Sequence, residues 1–183
     1  MKKIILTTTV ILITLASQAQ IKLNLGGGYY GETLTYPGVI LQLEREVHQS
    51  EKFSTPMMVD LGFYNHPRSH SAVFTDVLFG TRRYFENRLF IEHYLGVGVM
   101  LTRYSDEVWT VTEEGDPRYI SNWANADLSP SITLGIGYDF SNDQALNRQI
   151  WLRPKMNWQL PFNGLANPHI AIQFGFSYTL KSK

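Results

Sequence analysis

Residues 170–180, with the sequence IAIQFGFSYTL, alternate without a break between large apolar side chains and small or polar ones. The even positions carry Ile170, Ile172, Phe174, Phe176, Tyr178 and Leu180, and the odd positions carry Ala171, Gln173, Gly175, Ser177 and Thr179. A period of two places these two sets on opposite faces of a β-strand. The segment therefore predicts a strand with an apolar environment on one face and a crowded, polar one on the other.

Seven other segments have a related alternation. It is clear over 89–101 and 130–140, and it is less regular over 21–30, 39–48, 56–65, 72–84 and 149–160. We find no stretch of useful length that repeats with the 3.6-residue period of a helix. The sequence therefore predicts an all-β chain of eight strands.

The predicted connections differ between the two sides of the sheet. Those on one side span 31–37, 66–71, 104–126 and 161–168, and those on the other side span 49–54, 85–88 and 141–147. The longest, 104–126, is acidic and contains Asp106, Trp109, Glu113, Glu114 and Trp123. An even number of strands, with short turns on the side of the termini and longer loops opposite, favours an eight-stranded antiparallel up-and-down transmembrane β-barrel.

The composition excludes several classes of protein. Hydrophobic residues make up 44% of the 183 residues and charged residues only 17%, whereas globular proteins average about 25% charged. A chain this apolar is not disordered, and a formal net charge of zero argues against nucleic-acid binding through a basic field. Because there is no cysteine, the sequence has no disulfide framework and no thiolate metal site.

The first nineteen residues have the build of a secretory signal peptide. Lys2 and Lys3 precede an apolar run over 4–15, and the small residues Ser17 and Ala19 occupy positions −3 and −1 of a cleavage site. An apolar run of this length is too short to cross a bilayer as a helix. We therefore predict a cleaved signal peptide over 1–19 and a barrel domain over 20–183.

Alternation alone also fits a soluble lipocalin-like sandwich, so the second face of each strand is informative. That face carries mainly Gly, Ser, Thr and Gln in 130–140 and 170–180, whereas a soluble sheet would expose charged residues there. Small residues suit the narrow interior of a closed barrel. Aromatic residues near the strand ends further indicate two membrane interfaces, with Tyr29, Tyr30, Phe63, Tyr64, Tyr104 and Trp158 at one end and Tyr84, Phe85, Phe90, Tyr138, Phe140, Trp151 and Tyr178 at the other.

With its leader, its eight alternating strands and the last strand 174–180, the chain resembles the small outer-membrane β-barrel proteins of Gram-negative bacteria. The resemblance covers the whole mature chain as a hydrophobicity pattern. In that family the last strand carries an assembly signal with a terminal aromatic residue, and this chain departs from it by ending in Leu180-Lys181-Ser182-Lys183. The resemblance implies an outer-membrane location. It leaves the activity open, because members include anchors, adhesins, small-molecule passages and lipid A-modifying enzymes.

The same alternation predicts which charged residues face the barrel lumen. The inward set comprises Glu44, Asp60, Asp76, Arg82, Glu92, Arg153 and Lys155. A hairpin turn centred on Asn87 places Arg82 opposite Glu92, and Arg153 and Lys155 are expected to reach across to the carboxylates of the second to fourth strands. Because buried charges require partners, we interpret this set as an ionic network that plugs the lumen. A proton relay or catalytic use of these carboxylates and a water-lined passage are the alternatives.

The predicted loops hold two other candidate sites. His66, Arg68, Ser69, His70 and Ser71 form a cluster in which a Ser/His nucleophilic pair or a divalent-metal site has to be considered. The acidic loop 104–126 lacks the residue order of a calcium-binding loop. We interpret both as solvated loops, and we predict no catalytic residue, metal or cofactor.

Taken together, these patterns predict a non-enzymatic, monomeric envelope protein. Its expected partners are outer-membrane lipid, lipopolysaccharide and a surface partner that binds the loop 104–126. A lipid A-modifying enzyme, of the deacylase or acyltransferase type, is the first alternative, and a narrow passage for small solutes is the second.

Overall fold

The computed structural model describes residues 23–67, 69–105, 108–111, 115–120, 125–141, 148–162 and 165–180. Within these ranges the strands are β1 (Leu23–Glu32), β2 (Tyr36–Gln49), β3 (Phe53–His66), β4 (His70–Tyr84), β5 (Leu89–Tyr104), β6 (Val108–Val111), β7 (Pro117–Ile120), β8 (Asn125–Asp139), β9 (Arg148–Phe162) and β10 (Leu165–Leu180). The described part of the chain contains no helix long and apolar enough to cross a membrane. The predicted signal peptide, 1–19, lies outside the described residues.

Eight of the strands close into one antiparallel barrel in the order β1-β10-β9-β8-β5-β4-β3-β2. Each strand pairs with its neighbours along the chain, and β1 pairs with β10 to close the cylinder. This confirms the predicted all-β, up-and-down architecture. We call the end that carries Leu23, Leu180 and the turn 85–88 the near end, and the opposite end the far end.

The barrel strands other than β1 are longer than the sequence predicts. The barrel strands contain 10 to 16 residues, and β8 begins at Asn125, five positions before the predicted start at 130. About nine to eleven residues are enough to cross a bilayer as a tilted strand. The additional residues of β8 continue the alternation, because Leu128 is exposed on the outer face and Asp127 and Ser129 are buried.

Side chains on the outer surface form a continuous apolar band. On β10, for example, Ile170, Phe174 and Phe176 are each more than half exposed, whereas Ala171 and Gln173 are buried. The band ends at outward-facing polar residues, which are Asn65, Ser71 and Arg103 at the far end and Arg45, Arg83 and Arg148 at the near end. The part of each strand between these two levels is the membrane-spanning segment.

Six of the aromatic residues predicted at the membrane interfaces occupy inward positions instead. Two of them, Tyr84 and Tyr104, are partly buried near the ends of the lumen, and the other four are fully buried. Tyr30, Tyr64, Phe90 and Trp151 are at most 1% exposed. Each occupies an inward position in the strand register. The position of such a residue near a strand end indicates its height along the barrel axis, but it does not indicate whether the side chain faces the lipid or the lumen. The interface prediction was therefore wrong for these residues.

The inward aromatic rings are accommodated by glycines on neighbouring strands. A side chain at Gly137 would collide with the ring of Phe90, and one at Gly175 would lie 2.6 Å from Cη2 of Trp151. In a lumen this narrow, a large side chain on one strand requires a small one beside it. This complementarity places the charged side chains at fixed heights between the aromatic rings.

Candidate functional site

The main concentration of charge in the lumen is an ionic cluster formed by Glu44, Arg82, Glu92 and Arg153. The guanidinium of Arg82 donates through Nε to Glu92 at 2.8 Å and through its two terminal nitrogens to Glu44 at 2.9 and 2.6 Å. Nε of Arg153 donates to the other oxygen of Glu92 at 2.5 Å. Glu92 therefore bridges the two arginines, and two buried positive charges are balanced by two buried carboxylates.

Four different strands bring the ionic cluster together. Arg82 on β4 lies directly opposite Glu92 on β5, in the register that the short turn predicts. Glu44 is supplied by β2 and Arg153 by β9, across the lumen. Gly135 on β8 leaves the necessary space, because a Cβ atom there would lie 2.6 Å from Oε1 of Glu92 and 3.1 Å from Cγ of Arg153.

A second charged group lies next to the ionic cluster. Lys155 forms ion pairs with Asp76 and, at 3.5 Å, with Asp60. Gln42 connects the two groups, since its amide nitrogen donates to Asp60 at 3.0 Å and its oxygen accepts from Arg153 at 2.7 Å. Lys155 therefore reaches two of the carboxylates expected for it. Arg153 lies 3.9 Å from Glu44, and its short contact is with Glu92.

An apolar layer lies on the far-end side of the charged groups. Tyr30 packs against Phe74 and Tyr64 with ring centroids 4.8 and 5.7 Å apart, and Ile40 and Met100 are also buried. The ammonium of Lys155 lies 5.2 Å from the centroid of Phe74, where the negative face of the ring favours a cation. The charged groups and the aromatic rings beside them are thus both buried inside the barrel.

Three histidines converge at the far-end mouth. The rings of His66 and His70 stack with centroids 5.6 Å apart, and His169 lies 6.1 Å from His70. His169 pairs with Glu32 at 3.2 Å and contacts Gln159 at the same distance. Across the described ranges, no group of three or more His, Asp or Glu side chains is arranged to hold a metal ion.

Of the two serines in the predicted Ser/His cluster, Ser69 contacts a histidine and Ser71 contacts an asparagine. Ser69 Oγ lies 3.0 Å from Nδ1 of His70, and the Tyr64 hydroxyl lies 3.0 Å from Nε2. Ser71 instead donates to Asn65 at 2.8 Å. A nucleophilic serine needs a histidine whose second nitrogen is oriented by an acid, but here that nitrogen faces a tyrosine. Arg68 of this cluster lies outside the described residues.

The acidic loop 104–126, which we expect to bind a surface partner, contains the hairpin β6–β7. This hairpin forms a two-stranded sheet separate from the barrel. Of the loop's predicted residues, Trp109 lies on β6. Asp106, Glu113, Glu114 and Trp123 lie outside the described residues.

Sequence reasoning missed several polar partners in the lumen. The Tyr94 hydroxyl donates to Glu92 at 2.7 Å and lies 3.0 Å from a terminal nitrogen of Arg82, so it belongs to the same network. The pair Glu32–His169 was also missed. All three occupy inward strand positions, and extending the alternation to the true strand ends would have found Glu32 and His169.

Comparisons with known proteins identify the fold. No protein-family model matches the chain, and no curated protein matches its sequence. Among solved structures, Neisserial surface protein A is 9% identical with a TM-score of 0.50, and the match covers 90% of this chain and 98% of that one. Ail, the attachment invasion locus protein of Yersinia pestis, was solved with the heparin analogue sucrose octasulfate. It is 11% identical with a TM-score of 0.51, over 88% of this chain and 100% of that one. The chain therefore has the fold of the small eight-stranded outer-membrane β-barrels.

We predict that Arg153→Ala lowers the free energy of unfolding by roughly 3–5 kcal/mol, because it leaves Glu92 and Glu44 with an uncompensated buried charge. Urea unfolding from lipid vesicles measures this. Arg45→Ala, which removes an exposed arginine from the outer face, is the control and should change the value by no more than about 0.5 kcal/mol. In the double variant Arg153→Ala/Glu92→Gln the loss should be smaller than the sum of the two single losses, because the excess charge is gone.

The same variants distinguish a plug from a pore. We expect no steady conductance from the wild type in planar bilayers. A stable open channel in the wild type, with Arg153→Ala changing only its ion selectivity and not its stability, would contradict the ionic plug.

A second prediction concerns pH and His70, which lies beyond the apolar band at the height of Ser71 and Arg103. Burial and the neighbouring His169 lower the pKa of His70 below its ordinary value of 6.5, and Glu32 opposes this shift. The titratable groups that face His70 are His66, Tyr64, Tyr104, His169 and Glu32. The unfolded chain then binds a proton more readily than the folded barrel. The contribution of His70 to the free energy of unfolding is therefore constant above pH 6.5, and it makes the barrel less stable as the pH falls below 6.5.

Thermal unfolding between pH 7.5 and 5.0 tests this. The wild type should lose stability on acidification, and His70→Gln should lose less. His48→Gln, at an exposed position of the near end, controls for the loss of an imidazole and should follow the wild type. An identical pH dependence in His70→Gln and the wild type would show that His70 does not contribute.

Proposed function

We propose that the chain is a non-enzymatic outer-membrane surface protein in which a sealed barrel anchors far-end loops that contact lipopolysaccharide or a surface partner. The observation that carries this proposal is the ionic cluster together with the apolar layer beside it. A lumen occupied in this way supports an anchor rather than a conduit, so we assign recognition at the cell surface to the far-end loops.

The energetics of the lumen favour a permanent seal. Arg82, Glu92 and Arg153 are each at most 4% exposed, and their hydrogen bonds cross the barrel between β2, β4, β5 and β9. Opening a path would separate charges that cost several kcal/mol each to leave unpaired in a poorly hydrated interior. The narrow-passage alternative would require this cluster to rearrange.

The far end supports a contact role. The connection between β5 and β8 is the longest in the barrel, and long loops in compact domains are usually either functional or linker segments. It carries the hairpin β6–β7, in which Gly115, Asp116 and Pro117 are exposed and Tyr119 is 47% exposed. Tyrosine provides a large contact area with little loss of side-chain entropy, which suits a recognition surface. The sequence of this connection also combines acidic and aromatic residues, namely Asp106, Glu113, Glu114, Trp109 and Trp123.

Cysteine labelling tests the placement of this hairpin, because the chain has no cysteine of its own. In intact cells, a polyethylene-glycol maleimide too large to cross the outer membrane should label a Tyr119→Cys variant. The matched Glu51→Cys variant carries its thiol in a near-end turn and should react only after the membrane is opened. Labelling of the Glu51 position in intact cells, with protection of the Tyr119 position, would reverse the proposed orientation.

One contact favours a second candidate function, a lipid A-modifying enzyme. It is the 3.0 Å approach of Ser69 Oγ to Nδ1 of His70 at the far-end mouth. A hydroxyl beside an imidazole is the first requirement of nucleophilic acyl transfer. The Tyr64 hydroxyl, however, occupies the position at Nε2 where an orienting carboxylate is needed.

Mass spectrometry of lipid A decides between the two functions. Lipid A from cells with and without the gene should have the same acyl pattern if the protein is not an enzyme. Ser71→Ala, in a serine that contacts Asn65 rather than a histidine, provides the control for His70→Ala. An acyl pattern that changes with the gene, returns to the gene-free state in His70→Ala and persists in Ser71→Ala would establish the enzyme.

A further inference from the structure

The charges on the barrel strands are sorted by sign between the two faces. On the described strands of the barrel every acid occupies an inward position, namely Glu32, Glu44, Glu46, Asp60, Asp76, Glu92, Asp127 and Asp139. Every charged residue at an outward position is an arginine, namely Arg45, Arg83, Arg103 and Arg148. Three of these four arginines lie at the near end. The lipid-facing surface of that end is therefore positively charged, although the whole chain has a formal net charge of zero.

Arg148 lies at one end of an apolar groove on this surface. In the register between β9 and β10, Arg148 is opposite Tyr178 and Ile150 is opposite Phe176. Phe140 also lines this groove of about 660 Å³. The ring of Phe140 is held edge-on against Tyr138, with centroids 4.7 Å apart. Arg148 is the one charged residue among the described residues that line the groove.

The groove opens onto a longer apolar track. Beyond Ile150 and Phe176, the next outward pair in the same register is Leu152 and Phe174. Their side chains are 43% and 56% exposed, and Met156 and Ile170 continue the row. A cation beside polar tyrosine at the membrane interface, followed by a row of apolar side chains toward the bilayer centre, matches the layout of a phospholipid molecule.

We propose that this groove binds a phospholipid with an anionic headgroup. The guanidinium of Arg148 receives the phosphate, and an acyl chain lies along Ile150, Phe176, Leu152 and Phe174. A planar guanidinium presents two parallel donors to two phosphate oxygens, which is stronger and more directional than a contact with an ammonium. Because no acid among the described residues faces outward here, an anionic headgroup is attracted by Arg148 and meets no described carboxylate, and a headgroup of zero net charge gains less.

The neighbouring arginine on the same surface is less suitable. Arg83 lies between the rings of Phe53 and Phe85, with its guanidinium carbon 5.6 and 5.5 Å from their centroids. The hollow beside it is lined by Glu51 and Glu86 as well as by Lys52, so the two acids offset the two cations there. The groove at Arg148, whose described lining contains no acid, is therefore the better site. The proposal requires the barrel to lie in a bilayer, and it does not depend on the role of the far-end hairpin.

Native mass spectrometry of the detergent-released full barrel tests the proposal, with phosphatidylglycerol and phosphatidylethanolamine of identical acyl chains as probes. We expect the wild type to retain phosphatidylglycerol in preference. Arg148→Gln should weaken that binding about fivefold, the effect of one basic residue at an anionic lipid surface. Arg148→Lys should retain most of the preference, because it keeps the charge. Arg103→Gln, which removes the outward arginine of the far end, should bind like the wild type.

Three outcomes would overturn the proposal. They are equal retention of the two lipids by the wild type, unchanged phosphatidylglycerol binding by Arg148→Gln, and an equal loss in Arg103→Gln. Tighter binding of lipid A than of phosphatidylglycerol at Arg148 would also contradict it, since the groove would then serve the other leaflet. Heat-modifiable gel migration checks that each variant is folded. If Arg148→Gln does not fold, the lipid preference of the wild type and of Arg148→Lys decides the question.

Discussion

The pairing of two guanidinium groups with two carboxylates inside a closed eight-stranded cylinder is the constraint on which the rest of this structure depends. An interior of this width holds side chains but little water, so a charge placed there needs a partner within hydrogen-bonding distance. Glu92 satisfies both Arg82 and Arg153, and Arg82 also binds Glu44. The bonds from Arg153 to Glu92 and from Arg82 to Glu44 join strands that are not neighbours in the sheet, and they therefore constrain the cross-section of the barrel as well as its charge balance.

This requirement explains the distribution of small residues. Glu92 and Arg153 approach each other only because Gly135 has no side chain between them. In the same way, the rings of Phe90 and Trp151 lie over Gly137 and Gly175. The glycines on the inner face are thus the complement of the long side chains opposite them, and both parts of the pattern are needed to close the lumen without overpacking.

The sequence predicted the face of most strand residues because a period of two is a property of the backbone alone. It also predicted the contact between Arg82 and Glu92, since a short turn sets the register of its two strands. It did not predict that Arg153 binds Glu92, because that contact depends on the diameter and stagger of the closed barrel, which no local pattern contains. His169 and Glu32 are separated by 137 positions and meet only because β1 pairs with β10. The inward orientation of Tyr30 and Tyr64 was missed because an aromatic residue near a strand end suits both an interface and a tapering lumen.

If the paired charges and stacked rings close the lumen as we propose, they limit where the protein can interact with other molecules. The remaining surfaces are the far-end mouth and loops, the near-end rim and the lipid-facing wall. These surfaces differ in chemistry: the far end offers histidines, tyrosines and an acidic connection, whereas the near-end wall offers arginines beside apolar grooves. Because every acid on the described barrel strands faces inward, the charged residues on the outer wall of those strands are arginines, and the lipid binding that we propose there rests on the same sorting of charge that forms the ionic cluster in the lumen.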